Sequence, residues 1–159
     1  MQAQQRIATP LGPLTALRDD QGLVGLWFDG QKHHPGPLEA PLVEHDPLLD
    51  QVASALAAYF EGQVLPKDLP LSPRGTEFQQ AVWRALLEIP AGQSRSYGEL
   101  AAQLGRPEAA RAVGAAVGRN PVSILIPCHR VLGRDGSLTG YAGGLERKQS
   151  LLKLEGLLQ

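Results

Sequence analysis

The chain reads as an α/β N-terminal half followed by a mostly α-helical C-terminal half that contains a helix-turn-helix. Three observations lead there. Short apolar runs punctuated by Asp and Gly dominate the first thirty residues, where Leu23-Val24-Gly25-Leu26-Trp27-Phe28 ends at Asp29-Gly30. From Thr76 onward, helix start signals and glycine stops alternate instead. Between them lies Pro66 to Pro73, a proline-punctuated connector without periodicity, which places the domain boundary so that residues 1–72 and 73–159 form separate units.

The totals narrow the classes. With 159 residues, 43% hydrophobic and 19% charged, the chain has the composition of a globular protein with a true core. No apolar run approaches the ~20 residues that span a bilayer, and Met1 to Pro10 lacks a signal-peptide hydrophobic region, so the expectation is a cytoplasmic protein without a membrane. A single cysteine excludes an internal disulfide and multi-cysteine zinc sites. His33, His34 and His45 have no ligand-like spacing, so no metal is expected. No cofactor motif is visible either. The net charge of −1 hides an asymmetry: residues 1–74 hold 5 basic against 9 acidic side chains, a balance of −4, and residues 75–159 hold 10 against 7, a balance of +3. A basic second half favours a polyanionic partner.

Taken in order, Thr9 to Leu17 reads as a strand, Asp19-Asp20-Gln21-Gly22 as a turn and Leu23 to Phe28 as the returning strand of a hairpin. Residues 31–45, rich in Pro, Gly and His, read as loop. Asp46 is the expected N-cap of a helix with Pro47 at its first position; Leu48, Leu49, Val52, Ala55, Leu56, Tyr59 and Phe60 recur at helical spacing until Gly62. Thr76 and Gln79 form a capping-box pattern for a helix through about Glu88, with Phe78, Val82, Ala85, Leu86 and Ile89 as its buried stripe. Ser96 and Glu99 form a second, placing Tyr97 in the first turn of a short helix that ends at Gly105. Pro107 suits the first position of the next helix, 107–117. These two helices around a glycine turn are the sequence form of a helix-turn-helix. The second carries one large side chain, Arg111, among small ones, and Gly114 inside a helix points to a close approach by another backbone or a nucleic-acid groove.

The apolar run Val122 to Ile126 reads as a buried extended segment stopped by Pro127, which delivers Cys128 and His129 where the chain must turn. Taken alone, a lone cysteine is most often an inert core thiol; a neighbouring histidine offers a base. Beyond it, Thr139-Gly140-Tyr141-Ala142-Gly143-Gly144 reads as a loop whose glycines let backbone N–H groups face a ligand. A last helix, Leu145 to about Leu158, puts Lys148 and Glu155 on the face of Leu151 and Leu152.

With these pieces named, the sequence resembles the O6-alkylguanine-DNA alkyltransferases, also called methylated-DNA–protein-cysteine methyltransferases. The resemblance covers nearly the whole chain. It is fullest from Gly75 onward: Gly75-Thr76-Glu77-Phe78-Gln79-Gln80-Ala81-Val82-Trp83, Arg95-Ser96-Tyr97-Gly98-Glu99-Leu100, Ala110-Arg111-Ala112-Val113-Gly114, Asn120-Pro121 through Ile126-Pro127-Cys128-His129-Arg130-Val131, and Gly140-Tyr141-Ala142-Gly143-Gly144. The resemblance implies a ribonuclease-H-like sheet in the N-terminal domain, and a helix-turn-helix that binds double-stranded DNA containing O6-alkylguanine through the minor groove, in a monomer. Cys128 would be the alkyl acceptor, His129 would take its proton through a water, and Glu155 would orient that histidine. Tyr97 would promote base rotation and donate to the guanine. Arg111 would fill the gap left by the flipped nucleotide, on a DNA face that also includes Ala110, Gly114 and Arg119. Asn120 would be the hinge between recognition helix and active-site strand. The Cys128 and Val131 carbonyls would read the guanine amino group, and N–H groups near Tyr141 and Ala142 would hold O6. Ser123, Thr139 and Lys148 would line the pocket. Some members have serine where this chain has Ala142, which can offer only its backbone. O4-alkylthymine is an expected second substrate.

The chemistry fits those residues independently. Displacement at carbon needs a thiolate, and an unperturbed thiol with pKa about 8.5 is only a few per cent ionised at neutral pH, so a base beside it is useful. An atom inside the base stack is reached only by flipping, and a wedge such as Arg111 must replace it. The thioether product, with no second cysteine to regenerate the thiol, implies one turnover per molecule. Two rivals, a DNA-binding module without chemistry and a Cys-His hydrolase, leave respectively Cys128 and the helix-turn-helix unexplained.

Overall fold

The computed structural model describes residues 2–159, and the chain divides into two compact units. The first comprises the chain through Arg74 together with Pro121–Ser123; the second comprises Gly75–Asn120 and Ile124–Gln159.

The first unit is an antiparallel sheet, β1 (Ala3–Ile7), β2 (Leu14–Arg18) and β3 (Leu23–Phe28), in the order β1-β2-β3, with helix α1 (Pro47–Phe60) packed on β1 and β2. The β2–β3 hairpin is the expected one. The strand expected from Thr9 begins only at Leu14, because residues 9–13 form the bend that follows β1. Strand β1 itself escaped the sequence reading: Ala3, Gln5 and Ile7 face inward with a period of two, but a small residue and an amide at two of those positions mute the signal. Every residue of β3 is buried, as in a strand covered on both faces. The loop 31–45 contributes to that cover, with Leu38 and Ala40 packed on Leu17, Val24 and Trp27. Isolated bridges blunt the sheet edges, Leu42 beside Gln4 and Leu71 and Val122 beside Leu23 and Leu26. In α1, Asp46 accepts from the N–H groups of Leu48 and Leu49, and Leu48, Leu49, Val52, Leu56 and Tyr59 are buried, each full burial being worth about 1.5–3 kcal/mol.

The second unit consists of α2 (Glu77–Leu87), β4 (Arg95–Ser96), α3 (Tyr97–Gln103), α4 (Ala110–Gly118), a 3₁₀ turn (Cys128–Arg130), β5 (Val131–Leu132) and α5 (Leu145–Leu154). Both expected capping boxes are present, Thr76 with Gln79 and Ser96 with Glu99. Helix α4 packs against α2 and α3. The Trp83 indole N–H donates to the Ala116 carbonyl at 2.9 Å, and a Cβ on Gly75 would come within 2.5 Å of the same ring, which explains that glycine.

Three further elements depart from expectation. Helix α4 starts at Ala110, not at Pro107. Arg106 has no side-chain acceptor to cap a helix there and instead lies over the Phe78 ring, 5.7 Å from its centroid. Helix α5 ends at Leu154 rather than Leu158, because Gly156, at φ 86, closes a Schellman motif in which Gly156 N–H meets the Lys153 carbonyl and Leu157 N–H that of Leu152. Most consequentially, 122–126 is not an extended segment. Val122 makes one bridge, then Ile124 adopts φ 70, a left-handed conformation that costs a β-branched residue about 1–3 kcal/mol.

Candidate active site

The left-handed Ile124 folds the chain back, so that Cys128 enters a 3₁₀ turn instead of ending a strand. Asn120, at the end of α4, spans this reversal: its side-chain N–H donates to the Ile126 carbonyl at 2.8 Å, and the side chain also hydrogen-bonds the Cys128 thiol. After the turn, Val131 and Leu132 pair in parallel with Arg95 and Ser96. That two-residue ladder places the start of α3, and hence Tyr97, beside the cysteine turn.

Five ionisable groups converge here, Cys128, His129, Glu155, Arg130 and Lys148. Cys128 is 6% exposed, and burial pushes its thiol up to about 11, against smaller opposing effects from the Asn120 hydrogen bond and the Lys148 charge. The resting sulfur is therefore a neutral thiol. His129 is fully buried; burial lowers its pKa, while its bond to Glu155 works the other way. Its Nε2 lies 2.7 Å from Glu155 Oε2, and its Nδ1 has no hydrogen-bond partner. A carboxylate can only accept, so Nε2 carries the proton and Nδ1 presents a lone pair. Tyr141 stands edge-on to the imidazole with ring centroids 6.4 Å apart.

Glu155 binds a second partner, Arg130, to which the sequence assigns no role. Arg130 Nε donates to Oε1 at 2.7 Å and Nη2 to Oε2 at 2.9 Å, a fork-to-fork pair, while Nη1 donates to the Ile89 carbonyl at 2.7 Å. The signal was an arginine inside the cysteine motif, but nothing local to the motif indicates that its partner is a carboxylate 25 residues away. Glu155 is the C-cap of α5 and shares the buried face of Lys148, Leu151 and Leu152, as expected, but the two ionisable groups find different partners. Lys148, fully buried, donates from Nζ to the Val131 and Thr139 carbonyls, and burial lowers its pKa to about 8. The Thr139 hydroxyl lies 3.0 Å from the Tyr97 hydroxyl. Cys128, His129, Glu155, Tyr97, Asn120, Val131, Tyr141, Thr139 and Lys148 thus belong to one connected neighbourhood, with half-buried Ala142 next to Tyr141.

Ser123 does not join that network. It is buried, but its hydroxyl donates to Gln31 Oε1 at 3.2 Å and it clusters with the first unit. On α4, Arg111 and Arg119 are exposed and Ala110 and Gly114 half-buried. A Cβ on Gly114 would rest 3.5 Å from the Tyr97 ring, an ordinary contact, so the fold itself does not demand glycine there. Among the described residues, no group of three or more His, Cys, Asp or Glu could hold a metal ion, and no helix is long and apolar enough to cross a membrane.

Comparison with known proteins converges on one family. Residues 5–73 match the ribonuclease-like domain of 6-O-methylguanine DNA methyltransferase, and residues 77–157 match its DNA-binding domain. The methylated-DNA–protein-cysteine methyltransferase of Methanosarcina acetivorans is 48% identical over 151 residues, covering 93% of this chain and 94% of the relative. The crystal structure of Mycobacterium tuberculosis O6-methylguanine methyltransferase superposes with a TM-score of 0.86 at 47% identity, covering 98% of this chain and 93% of that one. The M. tuberculosis OGT in complex with DNA gives a TM-score of 0.85 at 47% identity, with coverage of 96% and 92%. Two domain matches that together span nearly the full length, with relatives this similar over their whole extent, show that the chain belongs to the 6-O-methylguanine DNA methyltransferase family.

Proposed function

We propose that this chain carries out its family's reaction, DNA repair by alkyl transfer to a cysteine, with Cys128 as the acceptor, O6-alkylguanine as the principal lesion and each molecule acting once, as a monomer. The observation that carries the assignment is the open Nδ1 of a buried, neutral histidine on the same 3₁₀ turn as the chain's sole cysteine. A thiol held near 11 does not ionise unaided at neutral pH, so a lone pair must take its proton. His129 Nδ1 accepts it through a water, and Glu155, hydrogen-bonded to Nε2, balances the imidazolium that results. The thiolate attacks the alkyl carbon as the carbon–O6 bond breaks. The bonding electrons pass to the guanine, whose growing charge is met by the Tyr97 hydroxyl and loop N–H groups around Tyr141 and Ala142.

Residues 73–159 supply both the chemistry and the DNA face. Helices α3 and α4 act as a helix-turn-helix in the minor groove. Arg111 enters the duplex in place of the extruded nucleotide, Ala110 and Gly114 admit the backbone closely, and Arg119 contacts phosphate. The Cys128 carbonyl already accepts from Val131 N–H and the Val131 carbonyl from Lys148, which leaves one lone pair on each for the guanine amino group. Thr139 and Lys148 bound the pocket, and O4-alkylthymine is a second substrate.

The test is mass spectrometry of the peptide containing Cys128 after incubation with an O6-methylguanine duplex. One methyl per molecule on that cysteine, absent in Cys128→Ala, is the expected result; repeated turnover or an unmodified Cys128 would overturn the assignment. Arg111→Ala should slow repair in duplex DNA far more than transfer from a free base analogue, and equal losses would remove the wedge role.

A further inference from the structure

The geometry points to Arg130 as a positioning residue for alkyl transfer: by gripping both oxygens of Glu155 it dictates which nitrogen of His129 is left open to act as the base. This inference rests on the reading of His129 as the base and goes beyond it. Arg130 is buried and need not touch DNA. Each of its three guanidinium nitrogens donates, to Glu155 Oε1, Glu155 Oε2 and the Ile89 carbonyl just beyond α2, at 2.7, 2.9 and 2.7 Å. Glu155 Oε2 therefore accepts from Arg130 Nη2 and His129 Nε2 together.

Two consequences follow from that sharing. A carboxylate held by a guanidinium stays ionised, and an ionised carboxylate can only accept, so the proton of neutral His129 stays on Nε2. The fork also selects a single Glu155 rotamer, in which Oε2 rather than solvent or Lys148 meets the imidazole. The Ile89 carbonyl anchors the guanidinium in turn, so the orientation of the base is referred to α2 and not only to the short turn it stands on. The charges around His129 are Glu155, Arg130, Lys148 and, after deprotonation, Cys128. Of these, Arg130 and Lys148 both disfavour the imidazolium. Removing Arg130 would raise the tendency of His129 to protonate and free its proton to shift to Nδ1, so the open base would be lost in two ways.

The experiment measures single-turnover methyl transfer from an O6-methylguanine duplex across the acid and neutral range, together with ring-nitrogen NMR of His129, in the full-length protein, Arg130→Leu, Arg130→Lys and His129→Gln. In the parent protein the neutral ring should be protonated at Nε2. Arg130→Leu should show both neutral tautomers, an acid limb of the rate profile moved to higher pH, and transfer at neutral pH slowed about tenfold or more, up to the 10²–10⁴ that a positioned base contributes. Arg130→Lys keeps the charge without the fork, so its acid limb should stay near the parent's while tautomers mix and the rate falls to an intermediate value. Should the leucine variant fail to fold, the tautomer ratio of Arg130→Lys decides. Folded Arg130 variants with Nε2 alone protonated and an unmoved limb would reduce Arg130 to a brace and overturn the inference, leaving His129 as base. Undiminished transfer by His129→Gln would instead overturn the base assignment itself.

Discussion

Each half of the molecule buries an arginine against a carboxylate, and the two clusters end differently. In the first unit, Arg18 Nη1 donates to Asp46 at 3.1 Å while Asp46 Oδ2 also accepts from Leu48 and Leu49 N–H. The chain of donors stops there, on a helix N-cap. In the second, Arg130 grips Glu155, Glu155 holds His129, and the series ends at the Nδ1 lone pair, which no protein group engages. The first arrangement closes on itself and secures α1 to the sheet. The second ends at a lone pair that no protein group occupies, where a water can relay a proton from the chain's only thiol. Gln5 Oε1 in the first unit also lacks a partner, but an amide oxygen cannot accept a proton near neutral pH, so an unsatisfied atom carries chemical meaning only where it is a base.

The contrast can be broken most directly at its open end. His129→Ala should slow transfer to Cys128 by about 10²–10⁴, the range for loss of a positioned base, in single-turnover assays on a methylated duplex. An unchanged rate would make the second cluster as purely structural as the first. At the closed end, Asp46→Ala removes a cap and strands Arg18, and should cost about 3 kcal/mol in denaturant unfolding while the folded fraction transfers at the parent rate. A slowed transfer by fully folded Asp46→Ala would show that the closed cluster also serves the reaction. The smallest effect concerns Lys148. With its folded pKa lowered to about 8 from an ordinary 10.5, the unfolded chain holds more protons above pH 8, so stability should rise with pH, by about 1 kcal/mol between pH 7 and 9. Cys128, raised to about 11, acts in the opposite sense above its ordinary value, because there the unfolded chain releases the proton first. Measured in a Cys128→Ser background, the rise should appear cleanly and vanish in Lys148→Met; a flat curve would show that burial does not lower the pKa of this amine.

How far the sequence carries can be judged residue by residue. Asp46-Pro47, Thr76 with Gln79 and Ser96 with Glu99 were readable because capping is settled within four residues by local donors and acceptors. Strand β1 was not readable, since its inward positions include Ala3 and Gln5 and it is a strand only because β2 pairs with it. The run Val122–Ile126 has the composition of an extended segment, yet its bridge to Leu26 and the Asn120 side chain across the turn impose a reversal at Ile124. Local preference yields there to contacts made far along the chain.

The sequence by itself determined that a sole cysteine stands beside a histidine after two capped helices, and the family resemblance that follows from that order. Only the tertiary structure decided which imidazole nitrogen is open, that Arg130 serves Glu155, and that Lys148 is spent on two carbonyls. The physical reason is that protonation and hydrogen-bond partnership depend on burial and on distances of about 3 Å between groups remote in the chain, and no local preference encodes those.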